Sequence, residues 1–319
     1  MLEAKRNSQT HQTKFESIVE ETLHGQKAIW PEIAVRAIEA TRQLPRGRPR
    51  RIVLLGVGSS YFAAKLTSFP LIRALASSEP TLAAAEIVAC NAMAVGHEVF
   101  PQPSDWVFAF THRGGTPATL QALEAFHLAG AFTVAVTGAG VQKPPRTDLL
   151  LTTSPLERCE PHTVSVTGAV CAVTTLLLGD RAREEWFALS READPVLGDL
   201  RRRAGKGPTI VVGEWEGEWL ARETALKLME MARLTARAFG TEEYFHGPKL
   251  ARAAGDRFWY LGTPRDPRAV DVRDKLKPEV SVQVDGKTPL GFIRALVELQ
   301  WLGLAVAQNL GVQPDGRED

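Results

Sequence analysis

The sequence predicts an α/β fold with two parallel-stranded sheets, each covered by helices on both faces. Three observations predict it. Short, nearly continuous apolar runs alternate with longer stretches of helical periodicity, the pattern of strands buried on both faces. The rhythm restarts at Ile210-Val211-Val212-Gly213, after the break Gly205-Lys206-Gly207-Pro208. A chain of 319 residues also has the length of about two domains.

The expected order begins with helix over Thr13–Gln43, interrupted at Trp30-Pro31 because proline removes a helix donor. Strands are expected at 52–55, 86–89, 106–110 and 132–136, with a short edge strand at 149–151. Helices at 60–76 and 116–129 separate them, and an apolar helix at 163–178 follows. Residues 181–203 read as one charged, solvent-facing helix. The second set has strands at 210–213, 258–261 and 280–284, and helices at 215–234 and 290–309. The expected division is N-terminal helices over 1–45, a first α/β domain over 46–180, a connecting helix over 181–204 and a second domain over 205–319. The paired starts 52–56 and 210–213 form a weak internal repeat.

Composition narrows the function. Lys+Arg is 38 and Asp+Glu 37, so the net charge is +1 and no bulk field favours nucleic acid or an anionic membrane. The polar start has no apolar signal-peptide core, and no apolar run reaches the ~18 residues of a membrane span. A cytoplasmic location is expected. The three cysteines, Cys90, Cys159 and Cys171, are too few and too scattered for a disulfide framework or zinc ribbon.

Four segments carry candidate chemistry. Gly56-Val57-Gly58-Ser59-Ser60 joins a strand to a helix, where close backbone approach and unpaired N–H groups suit an anion. Its plainer reading is a glycine turn with a serine cap. Thr111-His112-Arg113-Gly114-Gly115-Thr116 occupies a second strand-to-helix turn on the same sheet edge, where ligands of open parallel sheets bind. Its hydroxyls and guanidinium suit a phosphate, or they are solvated loop groups. Glu223, Lys227 and Glu230 share a helix face, either as an exposed salt-bridged stripe or as a general base beside an ammonium. His246, before Gly247-Pro248 and after Glu242-Glu243, is either structural or a tuned acid.

Together these segments resemble the tandem sugar-isomerase (SIS) domain proteins, above all the isomerase half of glucosamine-6-phosphate synthase and its stand-alone phosphosugar relatives. Ala225-Leu226-Lys227-Leu228-Met229-Glu230 matches the family's Ala-Leu-Lys-Leu-x-Glu helix, and Glu243, His246, Gly247 and Pro248 match its Glu-x-x-His-Gly-Pro segment. The turns at 56–60 and 111–116 match more loosely. The resemblance runs from about residue 20 to the C-terminus.

It implies a phosphosugar isomerase or amino-sugar-phosphate deaminase that moves a proton between C1 and C2 through an enediol or enamine. Ser60, Thr111 and Thr116, with Ser59 and Arg113, would hold phosphate. Ser165 would touch the sugar, Glu230 would be the base, and Lys227 would meet sugar oxygens. His246 would assist ring opening, from the neighbouring subunit of a homodimer with a shared active site. No metal and no other cofactor is expected. The alternative is a non-catalytic phosphosugar-binding or regulatory protein; no basic stripe supports a DNA-binding sensor.

Three departures stand out. No cysteine precedes Cys90 and no glutaminase domain is present, so glutamine-dependent amide transfer is not expected. Arg113 replaces a serine of the family's phosphate loop. No lysine follows Lys287, where many relatives carry a catalytic one.

Overall fold

The structure is a computed structural model that describes residues 15–76 and 85–316. Five strands, β1 (Arg51–Gly56), β2 (Glu86–Asn91), β3 (Asp105–Phe110), β4 (Phe132–Ala139) and β5 (Leu149–Pro155), form one parallel sheet in the order β2-β1-β3-β4-β5. Four more, β6 (Thr209–Gly213), β7 (Ala236–Gly240), β8 (Arg257–Gly262) and β9 (Val280–Gln283), form a second parallel sheet in the order β7-β6-β8-β9. The two orders are the same where they overlap: an interior first strand, the second on one side at the edge, and the third and fourth on the other.

The helices are α1 (Ile18–Ala40), α2 (Ser59–Ala76), α3 (Pro117–Leu128), α4 (Val164–Leu178), α5 (Asp180–Ser190) and α6 (Leu197–Arg203). Then come α7 (Glu216–Ala232), α8 (Thr241–Phe245), the single turn α9 (Ala269–Asp271) and α10 (Phe292–Leu310). Successive strand residues point to opposite faces. Ile52 and Leu54 of β1 therefore join one apolar core, and Val53 and Leu55 join another with Leu123 and Phe126 of α3. In β6, Val211 joins the first of these cores, while Ile210 and Val212 pack with Tyr244 and Phe258 on the far side. The largest core is thus shared by both sheets, with residues of α1, α2, α4, α7 and α10 buried in it.

Several expectations need correction. Pro31 does not break the first helix: α1 runs through it. The face bearing Leu23, Trp30, Ile33 and Ala37 is buried, and Trp30 donates its indole N–H to Thr167 on α4 at 3.2 Å. That packing outweighs the one lost backbone bond. Thr13 and Lys14 lie outside the described residues. The expected helix over 181–203 is two helices, α5 and α6, with Pro195 between them, and Trp186, Leu189 and Leu200 are buried rather than solvent-facing. Strand β7, Ala236-Arg237-Ala238-Phe239-Gly240, was not anticipated; it is a half-buried edge strand without a strong apolar run. No helix among the described residues is long and apolar enough to cross a membrane.

Candidate active site

Both sheets present the carboxyl end of their first strand to a helix that starts there. Gly56 ends β1 against the start of α2, where a Cβ would stand 2.7 Å from the Ser60 carbonyl carbon. Gly58 turns the chain with φ +59°, a conformation glycine adopts without steric cost. This turn sets Ser59 and Ser60 in the first turn of α2, and α2 packs against α7 of the second sheet.

On α7, Glu223, Lys227 and Glu230 do share one face, but it is not an exposed stripe. The side chains of Glu223 and Lys227 are each 1% exposed, and Glu230 is 28% exposed. Gly303 of α10 faces them, since a Cβ there would stand 3.8 Å from the Lys227 Cβ. Lys227 Nζ lies 3.6 Å from Glu223 Oε1 and hydrogen-bonds the Glu230 carboxylate. The Ser59 hydroxyl, from the first sheet, donates to Glu223 Oε1 at 3.3 Å. The other Glu223 oxygen is buried with no hydrogen-bond partner.

This crowding sets the proton affinities. Burial pushes the Glu223 carboxyl up to about 7, with Lys227 opposing and Glu230 adding to the rise. Burial also works against the Lys227 ammonium, but Glu223 and Glu230 outweigh it and hold its pKa above the ordinary lysine value. The cluster is therefore a firmly charged ammonium, a carboxylate at the rim, and an inner carboxyl that exchanges its proton near neutrality.

Ser59, Ser60, Thr111 and Ser165 line one cavity with His112 and His162. Its volume is about 20 Å³, close to one water. Thr116 touches its edge through a 3.4 Å hydroxyl contact with Thr111. Arg113 is not among the lining residues: its side chain is 54% exposed and lies 3.5 Å from Glu160. His246 stands apart at the end of α8, 71% exposed, with Nε2 2.9 Å from Glu242. Glu242 is in turn held by Arg268.

The sequence motifs include neither Glu157 nor His162, and they include His112 only as a member of the 111–116 turn. The Glu157 carboxylate accepts the Thr163, Val164 and Ser165 N–H groups at 2.8, 3.1 and 2.9 Å, capping α4 from six residues upstream. Burial would raise this carboxyl, but the Ser165 hydroxyl and the backbone N–H groups of Thr163 and Ser165 hold it below its usual range. Ser165 is thus engaged with Glu157 as well as lining the cavity. His112 Nε2 accepts the Glu157 N–H at 3.0 Å, which leaves the proton on Nδ1, a buried atom without a partner. Burial drives the His112 pKa down to about 4, against the pull of Glu157. Burial likewise lowers His162, whose neighbours include Glu157, Lys227 and Glu230, so it stands between the two clusters. The Glu157 cap spans only six to eight residues but starts outside the helix, and His112 lies 45 residues from Glu157, so neither follows a helical or strand spacing. Gly138 makes room for His112, since a Cβ there would stand 2.8 Å from His112 Cε1. Among the described residues, no group of three or more His, Cys, Asp or Glu is placed to hold a metal ion.

No protein-family model matches the sequence, and no curated protein matches it. Solved structures do match the fold over nearly all of both chains. A Clostridium difficile 630 protein with the provisional name phosphosugar isomerase superposes with a TM-score of 0.78 at 16% identity, over 94% of this chain and 95% of that one. Glucosamine-6-phosphate deaminase from Thermotoga maritima gives 0.71 at 19%, over 94% and 97%. Tagatose-6-phosphate ketose/aldose isomerase from Escherichia coli gives 0.71 at 15%, over 95% and 96%. The chain therefore has the fold of these phosphosugar isomerases and deaminases.

Proposed function

We propose that this protein is a phosphosugar isomerase, or an amino-sugar-phosphate deaminase, that moves a proton between C1 and C2. The observation that carries the reading is the Glu230 carboxylate at the rim of a buried Lys227–Glu223 pair, tied by Ser59 to the phosphate-type turn of the first sheet. A solvated binding site has no need of a buried ammonium. A base that must stay ionised beside a developing oxyanion does.

In this reading Glu230 takes the proton from the carbon beside the carbonyl. The electron pair moves onto the carbonyl oxygen, and Lys227 stabilises the enediolate. Glu230 then returns the proton to the neighbouring carbon. The accompanying hydroxyl proton passes between O1 and O2, and buried Glu223 holds the Lys227 ammonium in place. Deamination shares the first of these transfers. Ser59, Ser60, Thr111, Thr116 and Ser165 would hold the phosphate end once side chains shift, because the cavity of about 20 Å³ is too small for a sugar phosphate. Arg113 would reach that phosphate only by leaving Glu160. Exposed His246 would serve ring opening in the partner's site of a homodimer. The two sheets would be tandem domains with boundaries near 46–180 and 205–319, after N-terminal helices over 1–45 and joined through 181–204.

The test is hydrogen exchange. Hexose, aminohexose and fructosamine 6-phosphates are incubated with the protein in deuterated water, and C1 and C2 are followed by NMR. Exchange that falls about 10²–10⁴-fold in Glu230→Gln is the expected result. Saturable binding of these ligands with no exchange for any of them overturns the enzyme and favours the binding-protein reading.

A further inference from the structure

The second sheet repeats the turn that builds the candidate active site, but with different side chains. Gly213-Glu214-Trp215-Glu216-Gly217 follows β6 as Gly56-Val57-Gly58-Ser59-Ser60 follows β1. A Cβ on Gly213 would stand 2.5 Å from the Gly217 carbonyl carbon, against 2.7 Å for Gly56 and Ser60. The third position has φ +59° at Gly58 and φ +56° at Trp215. The two turns share this φ and the same close approach of the first glycine to the fifth residue, yet the second keeps a tryptophan where the conformation favours glycine. Such strain in a bulky residue points to a use for the side chain. The ends of β3 and β8 also correspond: Thr111-His112-Arg113 follows the former and Thr263-Pro264-Arg265 the latter.

Between these two second-sheet loops lies a cavity of about 430 Å³, within the range of small-molecule sites. It sits where the strand order switches between β6 and β8, the position at which open parallel sheets bind ligands. Trp215, 55% exposed, and Phe69 and Ile72 of α2 give it apolar walls. Arg265 and Lys287 line it and make no ion pair among the described residues, while Arg73 lines it and pairs with the buried Glu216. Thr263, more than nine-tenths buried, also lines it, and its hydroxyl has no hydrogen-bond partner. Burial, and next the proximity of Arg265, lower the Arg73 pKa, while Glu185 and Asp285 oppose them; the lining itself carries three cations, Arg73, Arg265 and Lys287, against one carboxylate, Glu216.

We propose that this cavity is a second ligand site, for a small organic anion with a flat apolar body. The apolar body stacks on Trp215. The anionic group meets Arg265 and Lys287 and accepts a hydrogen bond from Thr263. No residue of this site lines the cavity around Ser59, Thr111 and Ser165, so its occupancy does not depend on the isomerase reading.

The test is titration of the full chain with 1-naphthyl phosphate and 1-naphthoate, followed by calorimetry and tryptophan fluorescence. One saturable site per chain is expected, for both probes if either anionic group suffices and for one if the site selects its anion. Trp215→Gly and Arg265→Gln should each weaken binding tenfold or more, while Ser60→Ala and Glu230→Gln leave it unchanged. Trp215→Gly should also raise the Tm or leave it unchanged, because glycine relieves the positive φ. That readout separates a ligand-binding tryptophan from a structural one. No saturable binding at millimolar probe overturns the proposal. So does binding that survives both Trp215→Gly and Arg265→Gln, a Tm lowered by Trp215→Gly, or competition by glucosamine 6-phosphate that Ser60→Ala abolishes.

Discussion

Replacing Lys227 with methionine removes the ammonium while keeping an unbranched side chain of similar length in a site that is 1% exposed. Deleting one partner of a buried ion pair costs on the order of 3–5 kcal/mol when the remaining charge has no other compensation. Here two carboxyls remain. Glu230 is 28% exposed and recovers hydration, so the cost falls on fully buried Glu223. With Lys227 present, Glu223 titrates at about 7; without it, the main influence opposing burial is gone and the proton is held more tightly. A carboxyl whose native pKa is raised contributes its full stability below the unfolded value. That contribution is lost as pH rises through the native pKa. Near pH 5.5 Glu223 is protonated in both proteins, and the variant loses only its Glu230 contact, about 1 kcal/mol. Near pH 8.5 the wild type has an ionised, paired Glu223, whereas the variant has either an unpaired anion or a proton held against the solvent, at about 1.4 kcal/mol for each unit of upward shift. Between pH 7 and 8.5 the extra proton held by the variant is worth at most about 2 kcal/mol, so the destabilisation should grow from about 1 to about 3 kcal/mol between those pH values. Urea unfolding of both proteins at each pH measures it. An equal cost at both would show that Glu223 and Lys227 do not exchange charge as argued.

Two further outcomes are expected. His112 is held neutral, its pKa lowered from 6.5 to about 4, so it contributes stability above pH 6.5 that is lost as pH falls toward 4. His112→Gln, which can retain an acceptor for the Glu157 N–H, should lose about 3 kcal/mol less stability over that interval, as read from denaturant midpoints. Gly138→Ala would press a Cβ to 2.7 Å from Leu156 Cδ2 and 2.8 Å from His112 Cε1. A loss of about 1–3 kcal/mol, with a shifted His112 NMR signal, is expected; an unchanged signal would mean the loop yields elsewhere.

The strands whose burial made them apolar on both faces were legible: β1, β3, β4, β6 and β8 each stand out as a run. β7 was not, because an edge strand carrying Arg237 is only half-buried and shows no run. The spacing of Glu223, Lys227 and Glu230 placed them on one helix face, since that follows from 3.6 residues per turn. Whether the face met water depended on α2 and α10 packing over it, which no local pattern encodes. Proline at position 31 suggested a break by its missing donor, and the apolar face of α1 overrode it. Glu157 caps α4 from only six residues upstream, and His112 accepts from a residue 45 positions on; both are pairings of single polar residues, invisible to periodicity.

The first turn of α1 is tied to the far end of the chain. Ser17 accepts the Glu20 N–H at 3.1 Å, but the Ile18 and Val19 N–H groups go to the Asp315 carboxylate at 3.1 and 2.9 Å. Asp315 O also accepts the N–H of Glu160, in the loop that holds Glu157 and His162. Ile18 and Asp315 are 297 positions apart. At about 5–20 residues per second of synthesis, roughly 15–60 s separate their emergence from the ribosome. For that interval the first helix has only its Ser17 cap, and the Glu157 loop lacks its tie to residue 315. The helix start and the loop beside the candidate site therefore gain their closing contacts only once residue 315 has been made, and a nascent chain released before that point would lack them.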